Sequence, residues 1–219
     1  MNRTAQVSAL LSLLTVSTAW SQVFTIWAEA PEAVDPGETF SVEFWASVEG
    51  EPWEDGVSAF AGFGIDAIGS GDVVSVTAAV LEDWAAGFGT QGSINGINVE
   101  GVSGGQIANV FDCLNPNINM NNPIRLFSIE VMAGLGGSIA YTPANPNING
   151  GLSFYPNSQD GASIVAPNDP GTTLEFFGAT TRIVPAPAAL GVFGFATLAT
   201  RRRRRTIQIM APMKIRRLK

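Results

Sequence analysis

Phe40-Ser41-Val42-Glu43-Phe44-Trp45-Ala46-Ser47-Val48 decides the fold. Phe40, Val42, Phe44, Ala46 and Val48 fall on one side of an extended chain, and Ser41, Glu43, Trp45 and Ser47 on the other. That two-residue period belongs to a strand with one face in a core and one in water.

The same alternation recurs on both sides of this stretch. It predicts strands over Val23 to Ala30 (Phe24, Ile26 and Ala28 inward), Ala59 to Asp66 (Ala59, Ala61, Phe63, Ile65) and Val73 to Val80 (Val74, Val76, Ala78, Val80). Further strands are expected at Ile94 to Val99, Gln106 to Phe111, Ile124 to Ala133, Ser138 to Thr142, Gly151 to Tyr155 and Thr173 to Thr181. Only Leu81 to Ala86 suggests a helical turn. Short strands separated by frequent turns predict an all-β fold, an antiparallel β-sandwich. Asp35-Pro36-Gly37 and Asp169-Pro170-Gly171 place proline where φ near −65° is wanted and glycine where φ must be positive, as in type II turns. Asn115-Pro116-Asn117-Ile118-Asn119 recurs as Asn145-Pro146-Asn147-Ile148-Asn149 and reads as two Asn-rich turns rather than a repeat array.

Gly37, Phe40 and Val42 leading into the first long strand, then Gly56-Val57-Ser58-Ala59-Phe60 and a strand ending in Asp66, resemble the cohesin-type and related carbohydrate-binding sandwiches. The resemblance implies a cohesin-like or jelly-roll-like sandwich that binds a partner on a sheet face. It supplies no matched binding residues.

Charge divides the chain. All nineteen acidic residues lie between Glu29 and Glu175, while nine of the twelve basic residues lie at or beyond Arg201. The body from Gln22 to Arg182 contains only Arg125 and Arg182 to offset its carboxylates. Such a surface repels nucleic acid and anionic lipid and attracts cations or basic partners.

Both ends read as membrane signals. Residues 1–21 have a positive start at Arg3, an apolar run from Val7 to Val16, and a small-x-small site at Ala19-Trp20-Ser21, so signal peptidase is expected to cut between Ser21 and Gln22. The body is then 22–182, an acidic ectodomain. At the other end Ala188 to Thr200 is uncharged, and its thirteen residues would rise only about 20 Å as a helix against a hydrocarbon core of roughly 30 Å. Counting back to Ile183 gives eighteen residues, so 183–200 is the expected transmembrane helix and 201–219 a basic cytoplasmic tail held inside by Arg201, Arg202, Arg203, Arg204 and Arg205.

The order of Val184-Pro185-Ala186-Pro187, a short apolar helix with Gly191 and Gly194, and the arginine cluster resembles the PEP-CTERM sorting tail of bacterial exosortase substrates. The resemblance implies that an exosortase, a membrane-embedded cysteine transpeptidase-like enzyme, cuts near Pro187 and releases or transfers the body to the cell surface. Ala186 stands where the family has glutamate, and Thr206 to Lys219 follow the arginines where such tails usually stop. That last segment is either a juxtamembrane basic tail facing anionic lipid or the product of a mis-called stop codon.

Chemistry is sparse. The chain has no histidine, which excludes a Ser-His-Asp triad, a Cys-His pair and histidine-ligated metals. The nineteen carboxylates show no distinctive pair for glycoside hydrolysis, and no enzyme activity is expected. Calcium suits an oxygen-rich chain of this kind: Asp66, Asp72, Asp160 and Asp169 lie in or beside loops rich in Gly, Asn and Pro, with Asp66 and Asp72 the candidate ligands, although no EF-hand or glycine-aspartate repeat is present. Cys113 has no second cysteine for an internal disulfide. Trp45, on the non-core face, and Trp53, in the following loop, are the candidate ligand contacts, since indoles stack on sugars. The expected function is an exported, membrane-anchored or exosortase-sorted cell-surface or extracellular-matrix protein with a structural or adhesive role. A module binding polysaccharide or envelope proteins is the competing class, and a glycoside hydrolase the third.

Overall fold

A computed structural model describes residues 22–110, 113–145, 151–159 and 161–184. The first half of the chain forms β1 (Gln22–Glu29), β2 (Ala33–Val34), β3 (Thr39–Glu49), β4 (Ala59–Gly71), β5 (Val73–Val76), β6 (Val80–Leu81), α1 (Asp83–Ala86) and β7 (Thr90–Asn95). The second half forms β8 (Asn98–Gly105), β9 (Asn109–Val110), β10 (Cys113–Leu114), β11 (Ile124–Ala133), β12 (Gly137–Ala144), β13 (Leu152–Tyr155), β14 (Thr172–Phe177) and β15 (Ala179–Ile183).

Two sheets face each other. The first has the order β14-β1-β3-β11-β5 with β6 added to β11, and the second β2-β15-β12-β4-β8-β7 with β13 added to β4. Alternation explains the layers: Phe40, Val42, Phe44, Ala46 and Val48 of β3 are all buried, and Phe24, Ile26 and Ala28 of β1 join them. The second sheet supplies Phe60, Phe63, Ile65, Val99, Val102, Ile139 and Tyr141. Aromatic rings tie the layers together. Phe127 of β11 stacks on Phe44 at 4.5 Å and, across the interior, on Phe63 of β4 at 5.9 Å.

The sandwich is not wholly antiparallel. β1 pairs with β14, and β2 with β15, in parallel. The first segment leaves one sheet at Glu29 and enters the other at Ala33, and the last does the same around Gly178. A Cβ at Gly178 would strike Tyr141 O and the Thr142 side chain, so only glycine passes there. The predicted strand Thr173 to Thr181 is therefore two strands in two sheets. The same crossing places Gln22 beside Gly171 at one pole of the sandwich and Val184, whose N–H donates to Val34 O, at the other.

Three other expectations change. Val73 to Val80 breaks after Val76, leaving Val74 and Val80 exposed and Ala79 buried, because the chain leaves the ladder to bond Thr77 N–H to Glu130 O and Ala79 N–H to Gln91 O. Ile94 to Val99 is interrupted by a tight turn with Gly96 at φ 64°, so it is a hairpin between β7 and β8; Asn95-Gly96 is the usual signature of such a turn. Gln106 to Phe111 reduces to the two residues of β9 among the described residues. The helical turn expected over Leu81 to Ala86 is shorter, Asp83–Ala86, with Leu81 taken into β6, and the strand Ile124–Ala133 stands as expected. Ile183, counted above into the apolar span, is a buried residue of β15, so the stretch left for a span begins at Pro185 and lies outside the described residues. Among the described residues no helix is long and apolar enough to cross a membrane.

Phe127→Ala is expected to lower stability by about 3–5 kcal/mol, measured by urea denaturation, because it empties the contact between the sheets. Tyr141 supplies a pH-dependent term. Its phenol is buried and donates to Ile97 O at 2.9 Å, and desolvation pushes its pKa up to about 12. The unfolded phenol loses its proton near 10 while the folded one keeps it. Stability from this residue is therefore complete below about pH 10 and is lost as pH rises toward about 12. Thermal melts of Tyr141→Phe are expected to show a smaller decline over that alkaline window than the parent protein.

Candidate functional site

The outer face of the first sheet carries the distinctive side chains. Because β3 buries every second residue, Glu43, Trp45 and Ser47 must project outward, and the pairing with β1 sets Trp27 directly beside Trp45. The two indoles lie 6.4 Å apart at an interplanar angle of 16°. The row extends to Phe177 of β14 on one side and Arg125 of β11 on the other. Phe177 is 52% exposed, while the tryptophans are half-buried.

Carboxylates fix the orientation of the rings. Trp27 Nε1–H donates to Glu29 Oε1 at 2.9 Å, and Trp45 Nε1–H donates to Glu43 Oε2 at 3.2 Å. Each pair is two residues apart on one strand, where the pleat turns both side chains to the same face. The other oxygen of Glu43 accepts from Arg125 Nη1 at 2.6 Å, and Arg125 Nε reaches Glu82 Oε1 at 2.6 Å. The hydrogen bond from Arg125 to Glu82 leads the contributions that, against desolvation, hold the guanidinium above its ordinary pKa. These ion pairs are about one-third exposed, so each contributes roughly 0.2–1 kcal/mol; their main effect is to hold Glu43 under Trp45.

A cavity of about 240 Å³ opens beside the row, lined by Glu29, Ala30, Pro31, Ser41 and Glu43. That is below the roughly 300–1,000 Å³ of small-molecule sites. It suits one side chain of a larger partner. A second groove, of about 440 Å³, lies over Gly62, Gly64, Ser103, Gly151 and Ser153 of the other sheet, rimmed by Phe88, and among the described residues no charged side chain lines it.

The residues singled out in the sequence separate. Trp45 is on the exposed face as expected. Trp53 is not its neighbour: its ring packs on Phe60 at 5.0 Å and Phe154 at 5.2 Å, and its N–H is held by Asp55, so it closes one end of the core. Asp66 and Asp72 stand at different points of the long β4 and its turn, and each serves the backbone. Asp66 accepts from Gly101 N–H at 2.6 Å, and Asp72 Oδ2 accepts from Leu135 and Gly136 N–H at 2.7 and 3.2 Å. Among the described residues no three His, Cys, Asp or Glu side chains gather as metal ligands. Of the processing residues, Gln22 and Val184 belong to the sandwich; Ser21, Pro185, Ala186, Pro187 and Arg201 to Arg205 lie outside the described residues. Trp27, Glu29, Glu43, Arg125 and Phe177 were missed. Part of the signal was legible: the alternation of β1 that turns Phe24 and Ile26 inward turns Trp27 and Glu29 out, and that of β3 already set Glu43 on the face of Trp45.

No protein-family model and no curated protein matches the chain. Among solved structures, it is similar to the second type II cohesin module of the cellulosomal adaptor ScaA scaffoldin of Acetivibrio cellulolyticus, with 11% identity and a TM-score of 0.46 over 75% of this chain and 98% of that one. It is also similar to the sixth cohesin of scaffoldin B from the same organism, solved in complex with a Cel5 dockerin mutant, with 9% identity and a TM-score of 0.38 over 76% of this chain and 100% of that one. What the site can do is therefore decided by this chain's own residues.

Asp72→Ala is expected to cost about 1–3 kcal/mol by leaving turn N–H groups without their acceptor. Thermal melts of the parent and the variant, with and without calcium, are expected to differ by that amount and to be insensitive to the ion.

Proposed function

We propose that this chain is a non-catalytic, exported binding module, tethered through the segment beyond Val184, which holds a protein partner on the outer face of its first sheet. The adjoining Trp27 and Trp45 carry the reading: two large indoles lie side by side on the outside of a sheet, each braced by a carboxylate. Export is supported by the leader-like residues 1–21, the strongly acidic body, and the order of Val184 to Pro187, apolar run and arginines. In that setting the module has an adhesive role at the cell surface or in the matrix.

A basic segment is favoured as the partner's contact. Both indole N–H groups are already donated to carboxylates, which leaves the π faces as the recognition surface, and a π face attracts cations. Glu29, Glu43, Glu49, Glu82, Glu130 and Glu175 lie on or beside this sheet's outer face, against Arg125 alone among the described residues, itself held by two of them. Glycan hydroxyls would find acceptors here and few donors. A lysine or arginine would find π density and negative charge together.

Calorimetric titration of the full chain with hexa-arginine tests this. Arg201 to Arg205 are each replaced by glutamine (Arg201→Gln and so on) so that the chain's own basic run does not compete. Saturable binding is expected, weakened about tenfold or more by Trp27→Phe with Trp45→Phe, a pair that leaves the carboxylates intact. Equal binding by parent and variant would sink the site. Tryptophan-dependent binding of cellohexaose in place of the peptide would transfer the face to glycans.

A further inference from the structure

Gln22 opens β1, yet it is built as an interior residue. Only 2% of it is exposed, and its side-chain Nε2 is the one buried polar side-chain atom without a hydrogen-bond partner among the described residues. A buried amide N–H₂ left unpaired is a real cost, because water satisfied it in the unfolded chain. The backbone of the same residue is well served. Gln22 N–H donates to Gly171 O at 3.1 Å, and its carbonyl accepts from Thr173 Oγ1 at 3.2 Å.

The predicted leader cut makes Gln22 the first residue, and this creates a second difficulty. A free α-amino group there would put a positive charge with three donors on the nitrogen that faces Gly171 O, a single acceptor.

We propose that Gln22 is a modification site, converted after leader removal to an N-terminal pyroglutamyl lactam; this rests on the export reading and its cut between Ser21 and Gln22. The unprotonated α-amine attacks the side-chain Cδ. A bond forms between that nitrogen and Cδ, the Cδ–Nε2 bond breaks, one amine proton passes to Nε2, and ammonia leaves. No oxidant or co-reactant is consumed. The product removes both difficulties together. The unpaired Nε2 is gone and the terminal charge is gone. The Gln22 carbonyl, which takes no part in the reaction, still accepts from Thr173 Oγ1 and so keeps β1 tied to β14.

The test uses mature protein recovered after export of the full chain with its own leader. Cleavage after glutamate releases the N-terminal peptide Gln22 to Glu29, which is expected to be lighter than its linear form by one ammonia, blocked to sequential degradation from its amino end, and unblocked by pyroglutamyl peptidase. The cyclised fraction is also expected to melt at least about 2–4 °C above the linear fraction of the same preparation. A peptide that begins at Gln22 with its amide intact in aged protein, or a linear fraction at least as stable, overturns the modification and leaves the leader cut standing. A peptide that begins elsewhere overturns the cut and the modification together.

Discussion

The parity of β3 is the constraint on which both faces of the first sheet depend. Once Phe40, Val42, Phe44, Ala46 and Val48 are committed to the interior, Glu43 and Trp45 have no choice of side. A slip of one residue would exchange the two sets entirely. β11 has to match this parity and also bury Ile124, Leu126, Phe127 and Ile129, which no regular alternation allows. A bulge between Arg125 and Phe127 resolves the conflict: the extra residue lets Leu126 and Phe127 both enter the core while Arg125 stays beside Trp45. The same irregularity thus completes the aromatic contact between the sheets and positions the cation that steadies Glu43.

The parts of the fold that were legible in the sequence are those with strong local periodicity. β1 and β3 carry unbroken alternation, and the two Asp-Pro-Gly turns carry their own backbone chemistry. Positive φ at Gly37 and Gly171 agrees with that chemistry. What stayed hidden was set by distant parts of the chain. Nothing local in Thr173 to Thr181 says that Gly178 must pass against Tyr141 and Thr142, and the parallel pairs join residues about 150 positions apart. The site shows the same division. Trp45 was visible because its own strand is regular, whereas its pairing with Trp27 and Arg125 is a matter of register between strands, which one strand cannot disclose. Trp53 misled because a loop position says little about exposure when the loop folds back over Phe60 and Phe154.

Carboxylates play two distinct roles in this domain. Asp66 accepts a backbone N–H at the irregularity between β4 and β8, and Asp72 and Asp169 accept backbone N–H groups in turns, so each replaces a missing ladder partner. Glu29 and Glu43 instead hold indoles. The rest of the acidic surface has only Arg125 and Arg182 as counterions in the body. Its field therefore acts at long range, drawing in basic groups at low ionic strength and weakening over about 10 Å at 0.1 M salt.

The crossing of the last segment has a mechanical meaning. Val184 leaves the sandwich directly from β15, whose residues are laddered to β12 on one side and β2 on the other. Were the domain held through the segment beyond Val184, as proposed, tension entering along β15 would meet hydrogen bonds lying across the line of pull. They would be loaded in shear and fail together, whereas a strand pulled away from its neighbour sideways would unzip one bond at a time. A partner held on the first sheet and a tether drawn from the second would strain the domain in its stiffest direction.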